Sequence, residues 1–189
     1  QRWSDDFNDN DRNATGWGTV DLSRGASFSE SNGQLRYSSS GSDSMVERNW
    51  IGSGLPYAKS WEVQVLVNLP GSGLGAGQIR EIGLEVGQQE DGDVATLKLE
   101  AEGSNRFFRS KNYAGPGEEA AATQAVTTTV SQARLRARWD AGLKQLQLEY
   151  DLAPDDGVET WVELVDWNLG SGKTSWDLNA SSTFAVSIK

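Results

Sequence analysis

The stretch RLRARWDAGLKQLQLEYD, residues 134–151, decides the fold. In its first arm Leu135, Ala137 and Trp139 fall on one face and Arg134, Arg136 and Arg138 on the other, which is the period of two of a half-buried strand. The second arm repeats the pattern, with Leu146, Leu148 and Tyr150 pointing one way and Gln145, Gln147 and Glu149 the other. Between the arms Asp140, Ala141 and Gly142 supply turn chemistry, and Gly142 is the residue expected to take positive φ. A hairpin with one apolar face is not stable alone in water, so the rest of the chain must supply a second layer.

The flanking segments read as that layer. In WEVQVLVNLP, residues 61–70, Trp61, Val63, Val65, Val67 and Leu69 share a core face. After a Gly-rich break, Ile82, Leu84 and Val86 face inward opposite Glu81, Gly83 and Glu85. In VATLKLEAE, residues 94–102, Ala95, Leu97, Leu99 and Ala101 are expected inside and Thr96, Lys98, Glu100 and Glu102 outside. Residues 105–110 continue the sheet, 111–125 read as a long loop, and 158–165 and 183–188 as two late strands around a loop at 168–182. Upstream, TVDL, ASFSES, GQLRYSS and SMVERNW are short strands separated by Gly, Ser and Asn, while 51–60 reads as a loop and the opening residues as an edge strand and a loop. The sum is roughly eleven to thirteen strands without a helix, an all-β, two-sheet antiparallel sandwich forming one domain over residues 1–189.

Composition excludes several classes of function. The 189 residues carry 27 acidic and 17 basic side chains, a formal net charge of −10, which argues against a phosphate-backbone partner or an anionic membrane surface. No apolar run approaches the roughly 18 residues of a membrane span. The absence of cysteine and histidine removes disulfides, thiolate chemistry, the commonest general base and the commonest transition-metal ligand. Acid–base work would fall to Asp, Glu, Lys or Tyr, and a bound metal would be a hard cation held by oxygen. A start at Gln1 rather than Met reads as a processed segment, which fits a secreted, bacterial origin. The sequons at Asn13 and Asn179 are expected to be chance occurrences.

An opening Asp-Phe strand, the long strand ending in Leu69-Pro70, a strand–turn–strand pair, the hairpin at 134–151 and the closing FAVSI together resemble the concanavalin A-like lectin and glucanase superfamily. The resemblance implies a jelly roll of two curved antiparallel sheets, with carbohydrate as the commonest ligand. In laminarinase-like members two catalytic glutamates come from one strand with the pattern Glu-x-Asp-x-Glu, and retaining glycosidases hold such carboxylates about 5 Å apart. Glu81 and Glu85 match the outer positions, but Gly83 stands where the central Asp would be.

Sugar rings stack on aromatic faces while polar side chains bond their hydroxyls. Of the eight tryptophans, Trp61 and Trp139 lie on apolar faces and are expected in the core. Trp161, which shares a face with Glu159 and Glu163, and Trp167, Trp50, Tyr57 and Tyr113, at strand ends or in loops, are the candidate sugar contacts, although for any one of them partial burial as sheet cover is the more common role. Arg136 and Arg138, with Arg134, would form either a polar floor for an oligosaccharide or a ladder of charge pairs with Glu and Asp. Asp9 and Asp11, with Asp5 or Asp6 nearby and a distant partner such as Asp177, could hold a structural calcium, whereas Asp and Asn also simply favour turns.

These readings combine into a secreted, non-catalytic carbohydrate-binding module, attached to a polysaccharide-degrading or cell-surface protein. A glycoside hydrolase using Glu81 and Glu85, or a structural or adhesion domain without a ligand, are the alternatives. Exposed coplanar aromatics would favour binding, converging Glu81 and Glu85 hydrolysis, and a face filled with Arg–Glu pairs the structural role. The core position of Trp61 implies that its removal costs far more stability than removal of Trp161.

Overall fold

The computed structural model describes residue 7 and residues 14–17, 21–30, 34–39, 44–71, 74–75, 77–88, 92–115 and 119–189. The backbone packs as two units, residues 1–54 with 187–189, and residues 55–186. The first holds a four-residue helical turn, α1 (Ala14–Trp17), and strands β1 (Leu22–Arg24), β2 (Ala26–Glu30) and β3 (Leu35–Ser39). It also holds most of β4 (Met45–Pro56). The second holds β5 (Trp61–Asn68), β6 (Ile79–Gln88), β7 (Val94–Glu102), β8 (Asn105–Tyr113) and β9 (Ala122–Thr128). These are followed by β10 (Gln132–Asp140), β11 (Gln145–Asp151), β12 (Val162–Asn168) and most of β13 (Thr183–Ile188). The chain is all-β with antiparallel strand pairs, and no helix among the described residues is long and apolar enough to cross a membrane.

In the first unit, β2 and β3 form a hairpin and β1 pairs with β4. Its centre is a buried cation. Arg48 donates from Nε to Asp21 at 3.0 Å, pairs with Glu30, and lies over the ring of Phe28. Two acceptors and an aromatic face compensate the desolvation of this guanidinium, which would otherwise be prohibitive. Trp50 meets Trp17 edge-on at 5.0 Å and packs so closely on Gly16 that a Cβ there would fall 2.3 Å from the indole.

In the second unit two sheets face each other, one ordered β13-β6-β7-β8-β9 and the other β12-β11-β10-β5. Leu135, Ala137 and Trp139 of β10 and Leu146, Leu148 and Tyr150 of β11 are all buried against Leu84, Val86, Leu97, Leu99 and Phe108 of the opposite sheet. Tyr150 stacks flat on Phe108, with ring centroids 4.1 Å apart. Trp167 donates across the gap to Ser110 at 2.8 Å, and Trp176 donates to Asn112 at 3.4 Å. A sandwich-like pair of layers follows directly from the period-two alternation on β5, β6, β7, β10 and β11.

Several local expectations are corrected. The hairpin pairs Asp140 with Gln145, so its loop has four residues, and the left-handed residue is Lys144 (φ 57°) rather than Gly142. Asp140 Oδ1 accepts from the backbone of Gly142 and Leu143, and the Lys144 carbonyl accepts from Leu169, which holds the unfavourable φ in place. The expected loop at 51–60 is instead strand as far as Pro56. The expected loop at 111–125 narrows to the residues between Tyr113 and Ala122. The late strand begins at Val162, so Trp161 precedes it. Thr96 and Glu100 point away from the core yet are buried, and α1 occupies a stretch expected to be loop.

Trp61 stands on the edge strand β5, partly buried and edge-on to Phe184 at 5.2 Å, and its indole nitrogen has no hydrogen-bond partner. Trp139 is 1% exposed and donates to the Tyr57 carbonyl at 2.9 Å. Trp139→Ala is therefore expected to lower stability by about 3–5 kcal/mol and Trp61→Ala by distinctly less. Urea unfolding of both variants checks this, and equal losses would contradict the assigned packing.

Candidate functional site

Alternation along β10 turns Arg134, Arg136 and Arg138 to the outer face of their sheet. There they stand beside Asp151, Glu149 and Gln147 of β11 and Leu66, Gln64 and Glu62 of β5. Arg136 donates from Nε to Glu149 at 2.7 Å, and its guanidinium lies 4.0 Å from the ring centre of Trp161. The Trp161 indole donates to Glu159 at 3.2 Å, and Glu159 lies 3.6 Å from Arg134. Arg134 also donates to the Pro154 carbonyl at 3.0 Å. Two arginines thus fasten the segment between β11 and β12 across the outside of the sheet. Arg138, in contrast, is exposed and makes no ion pair among the described residues.

Of the seven expected sugar contacts, the structure brings Trp161, Arg136 and Arg138 together on this face. Trp167 does not belong with them: it is 8% exposed in the core, because β12 runs on to Asn168 instead of ending at Val165 and pairs Trp167 with Leu146, which turns its side chain inward toward Ser110. Tyr57 is tilted against Trp139 at 5.6 Å and packs on the core. Trp50 belongs to the first unit, against Trp17. Tyr113 ends β8 on the outer face of the other sheet, opposite Val94.

That second outer face carries the carboxylates. Glu81 and Glu85 lie four residues apart on β6, about 13 Å by the strand rise. Glu81 is bound to Lys98 of the neighbouring strand, so its carboxylate is held in an ion pair. At Gly83 a Cβ would fall 2.1 Å from the Leu97 carbonyl oxygen, so this backbone has no room for a central aspartate. The carboxylates that do meet are Glu81 and Glu100, directly opposed across β6 and β7. Burial raises the Glu100 pKa, against the pull of Arg109 at 3.0 Å, and Glu81 and Glu102 raise it further. The Arg109 contact is an ion pair without hydrogen-bond alignment, leaving Glu100 Oε1 without a bond. Arg109 also covers Phe107, at 5.2 Å. This cluster was not anticipated from the sequence, since it depends on cross-strand register; its only sequence signal is the alternation of Lys98, Glu100 and Glu102.

A shallow cleft of about 370 Å³ lies at the β8–β9 end, lined by Ser104, Asn105, Arg106 and Thr127 to Thr129. Arg106 is committed to the carbonyls of Leu69 and Gly71, which leaves hydroxyls and an amide as the available groups. Of the expected calcium ligands, Asp9 and Asp11 lie outside the described residues. Asp177 is exposed and offers its backbone N–H to Asp93 Oδ2 at 3.3 Å. Among the described residues no group of three or more acidic side chains is placed to hold a metal. No protein-family model matches the chain, and no curated protein matches it either.

Asp166, on β12, has its pKa raised by burial and next by the charge of Glu163, while a hydrogen bond from Gln147 opposes the shift. A raised folded-state pKa means that the native state binds the proton more tightly than the unfolded chain, so stability is lost as pH rises from the ordinary value of 3.8 through the folded one. Asp166→Asn removes that loss. Its melting temperature should therefore gain on the wild type as pH rises from about 4 to 7. A gap that narrows over this range would show that burial does not dominate at this carboxyl.

Proposed function

We propose that the chain is a non-catalytic carbohydrate-binding β-sandwich with the jelly-roll arrangement of the concanavalin A-like proteins it resembles. The ligand face would be the outer side of β5, β10, β11 and β12. The supporting observation is the grouping of Trp161, Arg136 and Arg138 there. Trp161 is partly exposed and held in one orientation by the Arg136 stack and by Glu159, which lowers the entropy cost of stacking on a sugar ring. Arg138, Gln64 and Gln147 are neighbouring hydrogen-bonding groups for sugar hydroxyls. Hydrolysis has less support, because Glu81 and Glu85 stand apart and Gly83 cannot become the missing carboxylate. An extracellular location accompanies this reading, and calcium enters it through Asp9, Asp11 and Asp177.

A structural or adhesion role without a ligand is the second reading. It is favoured by the use of Arg134, Arg136, Lys98 and Arg109 in pairs within the chain.

A glycan array on the purified protein, with calcium and again with chelator, separates the two. The expected result is binding to one polysaccharide class without release of reducing ends. Arg138→Ala should weaken that binding about tenfold or more at unchanged melting temperature, as expected for losing a charged hydrogen-bond donor. Absence of binding in both conditions, or undiminished binding by the variant, would remove this face as the ligand site and leave the structural reading.

A further inference from the structure

The strand β9 ends the sheet order β6-β7-β8-β9, and among the described residues it pairs with β8 alone. Its central residues, from Thr123 to Thr127, are all exposed, whichever face they belong to. An edge strand presents a row of unpaired N–H and C=O groups, and proteins normally block such a row with charge, proline or a covering segment. The other edges follow that rule: β1 carries Arg24, β5 carries Glu62, and β12 carries Glu163 and Asp166. Among the described edge strands β9 alone has no charged residue, in a stretch free of charge from 120 to 133. It reads ATQAVTT, rich in β-branched residues and without proline.

We propose that β9 is a self-association edge: two copies of this chain join β9 to β9, antiparallel about a twofold axis, and continue the sheet from one copy into the other. The net charge of −10 selects the edge. A second copy brought against β12 would place Glu163 and Asp166 of both copies along one seam, and against β5 it would add a Glu62 from each copy to the seam, whereas along β9 only neutral side chains meet. With Ala125 on the axis, Thr123 stands opposite Thr127 and Gln124 opposite Val126, so the smallest side chain occupies the point where the strand meets itself. A twofold contact uses the same surface on both partners and closes after two copies.

Sedimentation of the full chain over a concentration series tests this. A monomer–dimer equilibrium is expected, with the dimer favoured by added salt because the two copies repel each other through their net charge. Ala125→Glu keeps the monomer intact, since Arg109 is the cross-strand neighbour of Ala125, but sets two carboxylates face to face at the axis. It should weaken dimerisation by about tenfold or more. Mixing it with Ala125→Lys should restore dimers. Amide exchange of residues 122–128 in the wild type should slow as concentration rises. A wild type that stays monomeric in high salt, an Ala125→Glu protein that still dimerises, or exchange on β9 that ignores concentration would each overturn the proposal, the last by placing the contact elsewhere or giving the edge to a different partner.

Discussion

Tyr150 lies nearly parallel to Phe108 across the gap between the two sheets of the second unit, and the rest of that unit depends on this contact. A flat ring pair fixes the local separation of the layers, and every other core residue has to fill the height it sets. Close to it, two indoles donate to side-chain oxygens of β8, Trp167 to Ser110 and Trp176 to Asn112. Those indoles tie β12 and the loop that follows it to β8. The apolar faces of β10 and β11 are thereby committed inward, and their arginines and glutamates must be outside.

What lies outside is organised by charge rather than by burial. On one sheet Lys98 and Arg109 hold Glu81, Glu100 and Glu102, and on the other Arg134 and Arg136 hold Glu149, Glu159 and Trp161. Four of these groups, Lys98, Glu100, Arg136 and Glu149, are mostly shielded, and burial raises the Glu100 pKa although it points away from the core. Long cationic side chains lying across neighbouring strands shield short ones beneath them, and this explains why an outward position on a sheet is not always an exposed one.

Much of the fold was legible because alternation is a local signal. The faces of β5, β6, β7, β10 and β11 follow from residue order alone, and so does the pairing of the two hairpin arms. The turn was misjudged because the left-handed position went to Lys144, whose conformation is held by Leu169, a residue far along the chain. Trp167 was misplaced because its strand runs on to Asn168 instead of ending at Val165, which sets its side chain beside the inward Leu146. The candidate site was partly visible: Trp161, Arg136 and Arg138 were picked out as types, but their meeting on one face depends on the path of the segment after β11. The opposition of Glu81 and Glu100 depends on cross-strand register, which no single strand encodes.

The segment from Leu152 to Trp161 is fastened mainly by the guanidinium groups of Arg134 and Arg136, through a carbonyl, a carboxylate and an indole face. Such fastenings are weak individually and screened by ions, while the β10–β11 ribbon beneath is held by full ladders and a dry core. The two therefore belong to different levels of the free-energy hierarchy of the native state. A segment fastened in this way belongs to the part of a fold whose local opening costs less than global unfolding. Molecules that differ in affinity for the strapped and unstrapped forms would then move the population of this segment without disturbing the core.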